Sequence, residues 1–169
     1  MMKIRIGEVE VFPLVELEAG SLIQSIIKDA TPENINSISW LCPDFADEEG
    51  NLKAAVQSFL VTSGGKNILV DACNGNHKPR ADIPEWGNLQ TDFLGKLAHL
   101  GLDVSDIDVI VCTHMHCDHV GWNTKLETGK WIPTFPNARY IFARREYDYW
   151  KEKPESEIIC LHCNLKIII

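Results

Sequence analysis

The chain has 169 residues, 45% of them apolar and 24% charged, close to the averages for soluble globular proteins and enough for one domain with its own core. That composition excludes a disordered chain, a fibrous repeat and a membrane-spanning protein. Sixteen lysines and arginines against 24 aspartates and glutamates leave a net charge of −8 with no basic stripe, which argues against nucleic acid as a partner.

The first residues, Met1-Met2-Lys3-Ile4-Arg5-Ile6, interrupt every apolar step with a charge, so they offer no signal-peptide core. A cytoplasmic protein is expected, with no membrane partner and with Cys42, Cys73, Cys112, Cys117, Cys160 and Cys163 as reduced thiols. Alternation over Lys3–Val11 predicts an opening strand, bulged at Gly7. Residues 13–50 read as irregular, with Pro13, Pro32 and Pro43, apart from a short helix over Ser21–Lys28. A hairpin follows, Val56–Thr62 and Asn67–Val70, joined by Ser63-Gly64-Gly65-Lys66, whose glycines supply the positive φ of a tight turn. The second strand ends in Asp71, and residues 74–88 read as an ordered loop.

Thr91 is expected to cap a helix that carries Phe93, Leu94, Leu97 and Leu100 on one face and stops at Gly101. Ile107–Cys112 is a continuous apolar run, the mark of a buried central strand. Trp131–Pro133 and Arg139–Phe142 read as further strands, with a turn at Glu127-Thr128-Gly129-Lys130, and Arg144–Lys151 as a helix. Strands first, then a helix and a buried strand, make a mixed α/β order with sheet and helices in layers.

Directly after the buried strand stands Thr113-His114-Met115-His116-Cys117-Asp118-His119-Val120-Gly121. Four candidate metal ligands, His114, His116, Asp118 and His119, lie within six residues at the carboxyl end of a strand, and imidazole and carboxylate are ready zinc ligands. In an extended His114-x-His116, alternate side chains point the same way and can share one ion. Asp118 and His119 are adjacent and need a local bend, which Gly121 helps permit. One short loop cannot wrap four ligands around a single tetrahedral ion, so two ions fit the spacing better. His77 and His99 stand alone and read as structural.

The run His114-x-His116-x-Asp118-His119 resembles the H-x-H-x-D-H signature of the metallo-β-lactamase-fold hydrolases. Ile68-Leu69-Val70-Asp71, Asn74-Gly75-Asn76, His119–Thr124 and Pro133–Ala138 resemble its lactonase-like and organophosphate-hydrolase-like branch. The likeness implies an αβ/βα sandwich, of which this chain holds the N-terminal half: a mixed sheet with helices on one face. By position, His114 and His116 would bind a first zinc and Asp118 and His119 a second. Metal-activated water would then attack a lactone, ester or related bond of a small-molecule substrate. Asp118 would also act catalytically, steering the water and passing a proton to the leaving oxygen. Asp71 is either an orienting partner of a ligand histidine or a turn cap. His116, where a glutamate would suit iron and redox work, suits zinc.

The family's full site also needs a third histidine, a bridging aspartate and a final histidine from downstream loops. After His119 the only histidine is His162, in Cys160-Leu161-His162-Cys163, which does not match. Residues 1–154 are therefore expected to be the N-terminal part of the domain and 155–169 an atypical tail ending in an exposed Ile167-Ile168-Ile169. Two functions compete: a zinc hydrolase, and a truncated, metal-binding remnant with weak or no activity. The family's two zinc ions would be fewer or none in the second case. A homodimer could cover the open sheet or complete the site.

Overall fold

The alternating residues Lys3–Val11 fold as a hairpin, not as the single bulged strand that their pattern suggests. A computed structural model of the chain describes residues 3–80 and 83–153, and the backbone of 167–168. In it, β1 (Ile4–Ile6) pairs antiparallel with β2 (Val9–Glu18), Ile6 opposite Val9. Gly7, at φ 62°, opens the two-residue turn between them. β2 runs on to Glu18 through Pro13, although residues from 13 onward were expected to be irregular. Pro13 is tolerated because its nitrogen points the same way as that of Val11, to the side where β1 has already ended.

The chain divides into two compact units, Met1–Glu16 with Gln57–Ile169, and Leu17–Val56. The smaller one contains α1 (Gly20–Ile26) and α2 (Pro32–Asn36). The second helix was not expected, but its start is local chemistry: Pro32 opens it and Thr31 Oγ1 accepts the Asn34 N–H at 3.3 Å.

β3 (Ala55–Ser63), which enters the larger unit at Gln57, and β4 (Lys66–Val70) form the expected hairpin, with Gly64 and Gly65 at φ 55° and 71°. The helix α3 (Phe93–Ala98) buries Phe93 and Leu97. Thr91 does not cap it: Asp92 holds the cap position, and the Thr91 hydroxyl donates to Glu16 Oε1 at 2.9 Å instead. Next come β5 (Val109–Val111), the one-turn α4 (Cys117–Val120), a separate hairpin of β6 (Thr124–Glu127) and β7 (Lys130–Pro133), β8 (Arg139–Ile141) and α5 (Arg144–Trp150). The backbone of β9 (Ile167–Ile168) pairs parallel with β8. The rest of the 155–169 tail, with Cys160, His162 and Cys163, lies outside the described residues. No described helix is long and apolar enough to cross a membrane.

The main sheet is mixed, in the order β1-β2-β3-β4-β5-β8-β9. β3 and β4 are antiparallel, while β4, β5 and β8 are mutually parallel. Register aligns Leu60, Leu69, Ile110 and Tyr140 across four strands, each at most 1% exposed. At about 1.5–3 kcal/mol for each large apolar side chain taken from water, this row anchors the sheet. The row beside it, Phe59, Val70, Val111 and Ile141, faces the other way and stays partly exposed. Because β4 and β5 run parallel, their carboxyl ends coincide, which brings Asp71 beside Thr113. Ligand sites in such sheets gather at those ends.

Candidate metal centre

The histidine segment is built by alternation and then by one turn of helix. Past β5, Met115 is buried whereas His114 and His116 point outward, so the two imidazoles share a side, ring centres 4.6 Å apart. The α4 turn then brings His119 back over the same place, its ring 3.9 Å from that of His114. Asp118 Oδ2 stands 3.3 Å from His119 Nε2. All four residues singled out from the sequence are thus gathered at one spot.

Backbone hydrogen bonds hold that turn against the segment after β4. Ala72 N donates to His119 O at 2.7 Å, Gly121 N to Cys73 O at 2.7 Å and Trp122 N to Ala72 O at 2.6 Å. Asp71 and Cys73 adopt left-handed φ of 59° and 43° to make these bonds, a local strain that the surrounding contacts must offset. Gly121 is needed for a different reason from the bend first expected. Its own φ is helical, −60°, but a Cβ there would run into the Asn74 carbonyl.

Asp71 makes both kinds of contact that the sequence left open, one to the turn and one to a histidine. Its carboxylate accepts the Thr113 N–H at 2.8 Å and the Thr113 hydroxyl at 2.8 Å, as a turn cap would. It also accepts from His119 Nδ1 at 2.9 Å. That bond keeps a proton on Nδ1, so Nε2, which faces Asp118, is the nitrogen that becomes a lone-pair donor once its own proton leaves.

Charge is tightly coupled here. Hydrogen bonds to Asp118 and then Asp71 raise His119 to about 9. Burial pushes the carboxyls of Asp71 and Asp118 up, but their bonds with His119, and with Thr113 for Asp71, outweigh it and hold both below the ordinary value. His114 is lowered by burial and by the neighbouring His119 and His116. Burial pushes the thiols of Cys73 and Cys117 up, so neither is a ready nucleophile.

Among the described residues no three His, Cys, Asp or Glu side chains converge as a finished metal site. The donor set nevertheless fits zinc. It consists of three imidazoles and a carboxylate, and Asp118 Oδ2 and His119 Nε2 stand about as far apart as two donors on one tetrahedral zinc with bonds of about 2.0–2.1 Å.

Three residues of this region were not singled out beforehand. Glu16, 5% exposed, accepts from Trp122 Nε1 at 2.6 Å, Thr91 Oγ1 and Asn74 N at 2.6 Å, tying β2 to the loops around the site. Lys78 is buried, donating to Thr124 and lying 3.7 Å above the Trp131 ring. Glu146 of α5 reaches the backbone between the first two histidines. A lone acid or lysine in a mixed sequence carries no signal of burial, so only the fold reveals them. Trp122 is core, stacked on Phe93. His99 is structural as expected, its Nδ1 2.7 Å from Gly95 O.

Comparison with known proteins follows the same segment. The family model described as the metallo-beta-lactamase superfamily matches residues 53–159. N-acyl homoserine lactonase AttM of Azorhizobium caulinodans is 28% identical over 104 residues, covering 56% of this chain and 36% of that protein. AttM of Agrobacterium fabrum is 27% identical over the same length. Among solved structures, the dizinc quorum-quenching lactonase AidC, in complex with a product, superposes with a TM-score of 0.64 at 25% identity, covering 90% of this chain and 48% of that one. A probable metal-dependent hydrolase from Staphylococcus aureus gives 0.64 at 21% identity, covering 98% and 60%, and shares the fold. The chain thus spans about a third of the curated relatives and about half of the solved ones.

Proposed function

The chain belongs to the metallo-beta-lactamase superfamily, and from that membership we propose that its His114–His119 segment holds zinc and serves hydrolysis of a lactone or ester bond in a small molecule. The observation that carries this reading is the gathering of His114, His116, Asp118 and His119 at the carboxyl ends of parallel β4 and β5. The lactonase names of AttM and AidC support the bond class. His114 and His116 would hold one ion, Asp118 and His119 a second. Zinc, when bound, supplies Lewis acidity and lowers the pKa of water to about 7.

The protein's own groups do the rest. Asp71 orients His119 through Nδ1, so that Nε2 is the donor. Asp118 is a carboxylate at neutral pH. With Oδ2 turned toward His119, its Oδ1 takes the proton from the attacking water and returns it to the leaving oxygen. Buried Met115, between the two outward histidines, roots them in the core.

A second reading, zinc binding without turnover, is favoured by one observation. Among the described residues each ion would have two protein ligands, whereas an open catalytic zinc site normally uses three.

Metal analysis with an esterase and lactonase assay separates the two. The hydrolase reading expects bound zinc and lactone or ester opening, both lost in His114→Ala. Bound zinc with no turnover of any lactone or ester would leave the second reading standing, and no bound zinc would sink both.

A further inference from the structure

The peptide between the two outward histidines belongs to no helix or strand, so its N–H must find an acceptor elsewhere. It finds one on α5. Glu146 Oε2 accepts the Met115 N–H at 3.0 Å, a bond strengthened by the charge of the carboxylate. The same oxygen accepts from Trp150 Nε1 at 3.3 Å, one helical turn on. The ring of that tryptophan stands edge-on to His116, ring centres 6.0 Å apart at 87°. Glu146 and Trp150 therefore form a bracket: the carboxylate holds the backbone of the histidine pair, and the indole both fixes the carboxylate and flanks one imidazole.

We propose that Glu146 is a positioning residue, bracing the Met115 peptide so that His114 and His116 present their imidazoles together to one metal ion. This rests on the zinc reading of the site and adds to it a residue from an element 27 positions beyond His119. A brace of this kind matters because His116 is exposed and has no core packing of its own to set its direction. Without the acceptor the Met115 peptide turns to find water, and a rotation of that plane swings the two histidines apart. Two donors that must be brought together on binding hold an ion less well than two already aligned.

Two substitutions distinguish bracing from direct participation. Glu146→Gln keeps a carbonyl oxygen that can accept the Met115 N–H, whereas Glu146→Ala removes the acceptor. Zinc affinity, measured by competition against a chromogenic chelator, is expected to fall about 10- to 100-fold in Glu146→Ala, the range usual for losing an outer partner of a ligand. In Glu146→Gln it is expected to stay within about 3-fold of the parent. The visible absorption of the cobalt-substituted protein should change in the alanine variant and be restored in the glutamine variant. Unchanged affinity in Glu146→Ala, or a loss in Glu146→Gln as large as in Glu146→Ala, would overturn the proposal.

Amide exchange at Met115 provides a readout that needs no metal. Protection should be present in the parent and in Glu146→Gln and lost in Glu146→Ala, while the core amides of Ile110 and Tyr140 keep theirs. If the parent bound no zinc but this exchange pattern held, the zinc reading would fail and the brace would remain. Equal protection of Met115 in all three proteins would remove the brace itself.

Discussion

Asp71→Asn tests the centre with the least disturbance, because asparagine matches aspartate in shape and tolerates the left-handed φ of 59° equally well. The Thr113 N–H bonds to Oδ1, so the amide oxygen must take that place. The amide NH2 then occupies the place of Oδ2 and faces His119 Nδ1. A donor there disfavours a proton on Nδ1 and fixes the neutral ring's proton on Nε2, the nitrogen that the zinc reading needs free. Zinc affinity is expected to fall about 10- to 100-fold.

Stability of the metal-free protein follows from the same bond. The rise of His119 from 6.5 to about 9 corresponds to about 3 kcal/mol at 1.36 kcal/mol per unit. Asp118 supplies the larger share and the imidazole is 28% exposed, so roughly 1 kcal/mol falls to Asp71 after screening. A raised histidine stabilises fully below about 6.5 and loses that contribution as pH rises through about 9. The lowered Asp71 carboxyl contributes above the ordinary carboxylate range and loses it as pH falls through its folded value. The gap between parent and variant should therefore be widest between about pH 4 and 6.5 and close toward both ends. Urea denaturation in the presence of a chelator at several pH values measures it. A gap that does not vary with pH, together with unchanged zinc affinity, would refute the role given to the Asp71–His119 bond.

On the zinc reading, metal at His119 Nε2 displaces the proton that faces Asp118, while Nδ1 keeps its proton on Asp71. The apparent affinity should rise about tenfold per pH unit from 7 to about 9 with release of about one proton, read by calorimetry in buffers of different ionisation heat; a flat profile would count against His119 as a ligand. Gly121→Ala drives a Cβ into the Asn74 backbone, where no flexible side chain can yield, and should destabilise by about 3 kcal/mol or more in urea. A loss under about 0.5 kcal/mol would show that the two segments do not meet so closely. Glu16→Gln must point its amide NH2 at a donor, either Asn74 N–H or Trp122 Nε1–H, and should cost about 2–3 kcal/mol in thermal or urea unfolding; near-neutrality would show that Glu16 is not the buried acceptor it is drawn as.

The local pattern carried much of this protein. The Gly64-Gly65 turn, the apolar run before Thr113 and the helix beginning at Phe93 are short-range signals, and each appears where its residues require it. The cluster of His114, His116, Asp118 and His119 was legible because all four groups lie within six residues. Alternation followed by one turn of helix brings such neighbours together whatever the rest of the chain does. The same local reading misjudged β2. There Leu14 and Glu16 are buried and Val15 is exposed, so hydropathy alone puts Glu16 on the wrong side. It also assigned Thr91 to a helix cap, whereas Asp92 holds that position and the Thr91 hydroxyl donates to Glu16, 75 residues away in the chain.

Sequence by itself thus determined the family signature, the strand that delivers it and the kinds of side chain it clusters, because these depend on neighbours along the chain. Tertiary structure alone decided which distant groups meet them. Asp71 is 48 residues from His119 and Glu146 is 31 from Met115. Parallel pairing of β4 with β5 delivers the first, and the packing of α5 against the histidine segment delivers the second. Both effects come from strand register and helix packing, which sum many weak contacts across the fold and leave no mark on any single residue.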